Sequence, residues 1–331
     1  VSLESALDQI AADVRFSGVI RVDREGAPAV SRGYGMARRD LGIPNGPDTL
    51  FGIASGTKSF TALTVMSLVE SGELTLDTTA RPLLGNDLPL VDDAVTVHHL
   101  LRHRSGIGDY LDEEQVSDLN EYTLAVSPHR LATTEDYLVV LGGQKQKFTP
   151  GERFAYSNSG YVVLALLAER ATGVVFQDLV MERVCRPAGL TDTAFLRSDE
   201  LPGRAALGYL DPGLSTNVLH LPVRGSGDGG LSTTAADLAA LWRALRAGAI
   251  VSTEAVAEMT RAHSDAPVES MQYGAGFWLD VDKDRVLAMG GDPGVGFLSW
   301  SQANSGTSAS VLCNQTSGAW PTAQRLFELL G

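Results

Sequence analysis

Phe51-Gly52-Ile53-Ala54-Ser55-Gly56-Thr57-Lys58 runs straight into the apolar segment Phe60 to Val69. A serine and a lysine three residues apart on a helix share one face, one turn apart. As an ammonium, such a lysine is a salt-bridge donor. As a free amine, it is a base that can take the serine proton. The partial positive charge of a helix N-terminus and partial burial both favour the amine. Ser55 and Lys58 can therefore form an activated nucleophile without histidine. Lysine is scarce here: only Lys58, Lys145, Lys147 and Lys283 occur, against 22 arginines. Arginine cannot give up its proton and lysine can, so a lysine at 58 is a chemical choice. A short Ser-x-x-Lys also fits a surface or capping lysine, and its weight depends on what accompanies it.

The composition narrows the field. A chain of 331 residues with 44% hydrophobic and 20% charged residues is globular and long enough for two subdomains. A net charge of −14 without a basic patch argues against nucleic acid or an anionic membrane as partner. No run of about 18 apolar residues marks a membrane span. Cys185 and Cys313 pair only if the fold brings them together. Localisation stays open, with the cytoplasm favoured and a removed leader as the alternative; oligomeric state is also open.

Periodicity organises the chain. Apolar spacing predicts helices over Ser2 to Val14, Thr57 to Ser71 (apolar nearly all round, hence central), Val97 to Arg102, Thr134 to Leu141, Gly160 to Thr172, Phe176 to Cys185, Ala235 to Ala247 and Pro321 to Leu330. Gly72 is set to end the central helix. Strands are expected at Ser17 to Asp23, Ala29 to Tyr34, Gly276 to Val281, Arg285 to Met289, Phe297 to Ser301 and Ser308 to Asn314. Both ends thus supply strands and flanking helices around a helical middle: an α/β subdomain from 1–75 plus 225–331 and a mainly helical one from 76–224.

Two further stretches carry chemistry. Tyr156-Ser157-Asn158 follows the turn Thr149-Pro150-Gly151 and precedes an apolar helix. A phenol and an amide at such a corner can be aimed into a cleft. Beside a lysine ammonium the phenol pKa should fall and the phenol can relay a proton, while the amide can hold the lysine or a substrate carbonyl. The plain alternative is that Tyr156 packs and Asn158 caps the helix. Met289-Gly290-Gly291-Asp292-Pro293-Gly294 joins two predicted strands. Its glycines let backbone approach a ligand, and one of its N–H groups could pair with that of Ser55 as an oxyanion hole. A simple Gly/Pro turn is the alternative.

In order and context these stretches resemble the serine β-lactamase and penicillin-binding-protein superfamily, in particular its class C-like branch of esterases, peptidases and acyltransferases. His99-Leu100-Leu101-Arg102-His103-Arg104-Ser105-Gly106-Ile107 and Gly229-Gly230-Leu231-Ser232-Thr233-Thr234 are similar to segments of that branch as well. The resemblance implies an α/β (α+β) fold: an antiparallel five-stranded sheet flanked by helices, with an inserted all-helical subdomain. It implies that Ser55 is the acylated nucleophile, Lys58 its base, Tyr156 the proton relay to leaving group and water, and Asn158 the residue that orients substrate or Lys58. It also implies that the N–H groups of Ser55 and Asp292 hold the oxyanion, with Met289, Gly290 and Gly291 beside the substrate.

One departure shapes the expected activity. The family's third motif usually carries a cation, Lys-Thr-Gly or His-x-Gly, where this chain has Met289-Gly290-Gly291. Such a cation helps bind the carboxylate of penicillins and peptide C-termini. Without it, a small neutral ester, amide or thioester is the expected substrate, and Met289 is expected to line an apolar pocket. A β-lactamase or D,D-peptidase is the rival enzyme, and a non-catalytic acyl- or penicillin-binding sensor is the rival of another class. No cofactor or metal is expected. His99 and His103 lack an H-E-x-x-H context, and the G-x-G-x-x-G of Gly225 to Gly230 lies outside any early βαβ unit.

Overall fold

The computed structural model describes residues 2–331 except 114, 115, 117, 211, 212 and 267–269. Among the described residues one antiparallel sheet dominates. Its strands are β1 (Gly18–Arg24), β2 (Ala27–Tyr34), β3 (Ser264–Ala266), β4 (Met271–Tyr273), β5 (Trp278–Asp280), β6 (Arg285–Asp292), β7 (Val295–Gln302) and β8 (Thr307–Cys313), in the order β2-β1-β8-β7-β6-β5-β4-β3. The sheet therefore has eight strands, not five. β3 and β4 escape sequence reading because three residues are too few to display an alternation.

The strands alternate between two cores. Ile20, Leu287, Met289, Leu298, Trp300 and Val311 face one side, covered by α1 (Leu3–Asp13) and the C-terminal helix α5 (Ala319–Leu330). Val19, Ala288, Phe297 and Leu312 face the other, against α2 (Thr57–Ser71), α3 (Asn158–Thr172) and α4 (Ala235–Arg246). α2 buries residues all round, from Thr57 through Met66, and ends on Gly72 at φ 83°, where a left-handed cap favours glycine. Its apolar circumference thus matches a central position between sheet and helices. The expected helix over Phe176 to Cys185 is interrupted: after Val180 it widens into a π turn over Met181–Cys185. Cys185 and Cys313 are both buried, and no disulfide joins them.

Candidate active site

The turn that carries Ser55 is built by close backbone contact. Phe51–Gly52 pairs with Ser232–Thr233, and a 3-10 turn over Ala54–Gly56 leads into α2. Ala54 sits at φ 45°, a left-handed conformation that a side chain disfavours and that marks stored strain. The Thr57 hydroxyl donates to Ala54 O (2.7 Å) and accepts from the Leu231 N–H (3.1 Å), which fastens the turn from both sides. Two glycines make room for it. A Cβ on Gly56 would lie 2.3 Å from the Phe297 ring. A Cβ on Gly290 would lie 2.5 Å from Ser55 N and 2.6 Å from Ile53 O.

Lys58 is the centre of the site. Its Nζ lies 2.7 Å from Ser55 Oγ, 2.7 Å from Asn158 Oδ1 and 2.9 Å from the backbone oxygen of Asp228. Burial pushes the amine below the usual lysine range, against the pull of Asp228, Glu113, Asp292 and Asp109. A neutral amine has two N–H groups and one lone pair. Asn158 Oδ1 and Asp228 O can only accept, so they take the two hydrogens, and the lone pair is left for the Ser55 hydroxyl. Asn158 is itself locked: its Nδ2 donates to Leu111 O and Glu113 Oε1, each at 3.0 Å. Both amide hydrogens are used, so this side chain holds Lys58 rather than a substrate carbonyl. Ser157 caps α3 by accepting from Gly160 N, and Asp109 accepts from the N–H groups of Asn158 and Ser159 at 2.7 and 2.9 Å. The cap is therefore Ser157, which frees Asn158 to reach the lysine.

Tyr156 stacks on Trp278 with ring centroids 5.8 Å apart, lies 4.4 Å from the His103 ring, and holds its face 4.9 Å from Lys58 Nζ. Its hydroxyl contacts that of Ser55. The expectation of a lowered phenol pKa is corrected here. Burial raises it well above the usual tyrosine value, with Glu113 adding to the rise, and the contact with Ser55 offsets only part. Burial thus decides the balance, and the phenol stays protonated and serves as a donor. His103 accepts at Nδ1 from the Ser157 N–H (3.1 Å), which fixes the ring beneath Tyr156; burial holds its pKa well below the histidine norm, so it is neutral.

The third stretch needs two corrections. Pro293-Gly294 is a two-residue turn, and the hairpin closes on the pair Asp292↔Val295. Such a loop closes on a hydrogen-bonded pair, and bonded pairs then alternate along the ladder. Asp292 and Gly290 therefore spend their backbone groups on β7, whereas Gly291 and Met289 turn theirs to the open edge. The N–H that the open edge of β6 presents beside Ser55 N is therefore that of Gly291 rather than the expected Asp292. Met289 does not line a pocket either: it is buried on the far face of the sheet, in the core with Leu298 and Trp300. Asp292 and Gly290 share the near face, so it is the Asp292 side chain that enters the cleft.

A cavity of about 150 Å³ opens onto Ser55. Tyr110, Tyr122, Tyr137, Leu196, Leu201 and Val223 form much of its wall, and Asp228 and Asp292 are its carboxylates. The Tyr110 hydroxyl donates to Asp228. Sequence reading singles out neither Asp228 nor Asp109, and it weighs His103 only as a discounted metal partner of His99. The clue for Asp228 was its glycine-rich setting: a Cβ on Gly227 would lie 2.1 Å from Tyr161 O, so these glycines bring backbone against helices rather than against a nucleotide.

The Beta-lactamase family model matches residues 3–328. The chain belongs to the beta-lactamase family. It is 34% identical to esterase EstB of Burkholderia gladioli over 225 residues, 63% of this chain and 54% of that protein. It is 28% identical to penicillin-binding protein 4* of Bacillus subtilis over 317 residues, 88% of this chain and 66% of that one. The chain thus spans between half and two thirds of the length of these relatives. A penicillin-binding protein from Bacillus halodurans superposes with a TM-score of 0.90 at 36% identity, covering 98% of this chain and 99% of that structure. D-amino acid amidase from Ochrobactrum anthropi SV3, in its complex with L-phenylalanine, shares the fold at a TM-score of 0.79 and 24% identity, over 99% and 98% of the two chains. This beta-lactamase-family chain contains no helix long and apolar enough to cross a membrane by itself among the described residues.

Proposed function

We propose that this protein is a serine hydrolase that forms an acyl-enzyme on Ser55 and acts on small esters or amides without a carboxylate beside the scissile bond. The observation that carries the reading is the 2.7 Å contact between Ser55 Oγ and a buried Lys58 whose two N–H groups are already engaged. Ser55 Oγ attacks the carbonyl carbon as its proton passes to Lys58 Nζ. The oxyanion forms between the N–H groups of Ser55 and Gly291. Ser55 lies in the first turn before α2, where an N–H has no intrahelical acceptor and is free for this task. The new ammonium returns the proton, through the Tyr156 phenol, to the departing alcohol or amine. A water then attacks the acyl carbon, loses its proton to the same relay, and releases the acid and Ser55. The relatives named as esterase and amidase support the reaction class.

The test is Ser55→Ala against p-nitrophenyl acetate and a simple amide, with intact mass after a fluorophosphonate. Loss of turnover and of the single adduct is expected. Parent-rate hydrolysis by Ser55→Ala refutes the assignment. A penicillin adduct on Ser55 that turns over faster than the ester would favour the β-lactamase reading instead.

A further inference from the structure

We infer that the cavity takes substrates that combine an apolar body with an ammonium group, and that Asp292 is the residue that receives the ammonium. The inference rests on the hydrolase reading only in taking this cavity as the substrate's seat. Three observations converge. First, the wall is aromatic and aliphatic, so the body that fills it must be apolar. Second, no lysine or arginine lines the cavity among the described residues; Lys58, which is not part of the lining, spends its hydrogens on Asn158 Oδ1 and Asp228 O. Third, the cavity's two carboxylates differ. Asp228 is met by the Tyr110 hydroxyl, whereas no donor among the described residues reaches Asp292. A half-buried carboxylate without a donor is costly, and a ligand that brings one relieves the cost.

The space for that donor is present. The point where a Gly229 side chain would begin is 4.0 Å from Asp292 Oδ2 and 3.8 Å from Ala54 O, so glycine at 229 leaves a gap between two acceptors beside the nucleophile's turn. An ammonium has three hydrogens in a compact head and can reach both oxygens at once. A carboxylate placed there would meet like charge. Burial pushes the pKa of Asp292 up to about 7 against the pull of Lys58, with Asp228 and Glu113 adding to the rise, so a cation brought by a ligand would stabilise its charged form.

The test needs no turnover. Binding of 2-phenylethylammonium, 2-phenylethanol and phenylacetate to the intact protein is measured by calorimetry at pH 8, then repeated with Asp292→Asn. The ammonium should bind at least about tenfold more tightly than the alcohol, with phenylacetate weakest, and Asp292→Asn should collapse the ratio of ammonium to alcohol to near unity. Equal affinities in the parent protein, or tightest binding of phenylacetate, overturn the inference. So does a ratio that Asp292→Asn leaves unchanged. If that variant is unfolded, the parent ranking alone decides. Ester turnover without an amine preference would defeat this inference and spare the hydrolase reading; amine binding without any Ser55-dependent turnover would do the reverse.

Discussion

Replacing Gly290 by alanine tests the site where strand backbone packs directly against the backbone of Ser55. The added Cβ would stand 2.5 Å from Ser55 N, 2.6 Å from Ile53 O and 2.8 Å from Gly56 N. All three are backbone atoms, and none can swing aside as a side chain does. Restoring ordinary contact requires the Ser55 turn to retreat from β6 by about 0.9 Å. Ser55 Oγ and its N–H move with that turn, while Gly291 N–H stays on the strand. Misplacement of reacting groups by about 1 Å costs on the order of 100-fold in rate, and overpacking costs about 1–3 kcal/mol of stability. Gly290→Ala should therefore lose roughly 100-fold in kcat/KM toward p-nitrophenyl acetate and melt at a lower temperature. Gly291→Ala is the control. Its Cβ would meet only Leu119 Cδ1 at 3.7 Å, and its φ is not in the left-handed region, so the fold should hold with little change in melting temperature. If Gly290→Ala keeps kcat/KM within about threefold of the parent, the reasoning from this contact is wrong.

Tyr156→Phe should keep the stack on Trp278, worth about 0.5–1.5 kcal/mol, yet lose roughly 100-fold or more in kcat because the relay has no hydroxyl; steady-state kinetics beside a melting curve separate the two. Asn158→Asp puts a carboxylate 2.7 Å from Lys58 Nζ and should hold the ammonium form, so the acid limb of the pH–rate profile moves up and activity near neutrality drops by roughly 100-fold. In the parent, kcat/KM should rise with pH through the depressed pKa of Lys58 and then stay level, without loss to phenolate below the ordinary tyrosine value of 10.0, because burial holds Tyr156 protonated. Stability carries the same sign. Unfolded Lys58 binds a proton up to about its ordinary value of 10.5, and the folded chain releases it lower. The folded state thus gains against Lys58→Met as pH rises from the depressed value toward 10.5 and gains nothing further above it. Denaturant melts of both proteins at several pH values read this difference; a difference that shrinks with rising pH contradicts a neutral buried amine.

Much of the site can be read in the chain because local chemistry dictates it. Ser55 and Lys58 meet through helix geometry alone, and Tyr156 and Asn158 flank a helix start whose turn and apolar run are plain in sequence. What sequence hides is long-range. Asp228 contributes a main-chain oxygen, which carries no residue signature. The N–H proposed as oxyanion donor passes from Asp292 to Gly291 through ladder parity, and parity is set by a hairpin whose closing pair must be seen. The direction of the Tyr156 shift depended on two competing influences, and only burial around Trp278 and His103 decides between them. Asp292 rather than Met289 sends its side chain into the cleft for the same reason: alternate residues of a strand face opposite sides, and sequence alone does not say which side holds the cleft.

The central helix has a practical corollary for how this protein fails. Phe60, Leu63, Val65 and Leu68 of α2 belong to the same continuous core as Phe297 and Leu312 of the sheet and Leu164 and Leu167 of α3. The helix that continues from the Ser55 turn and carries Lys58 is also the strut on which both layers lean. Its melting cannot be a local event, because releasing it strips the apolar cover from sheet and helices together. Heat should extinguish chemistry and tertiary structure in one shared transition, leaving no warm, inert but still folded form.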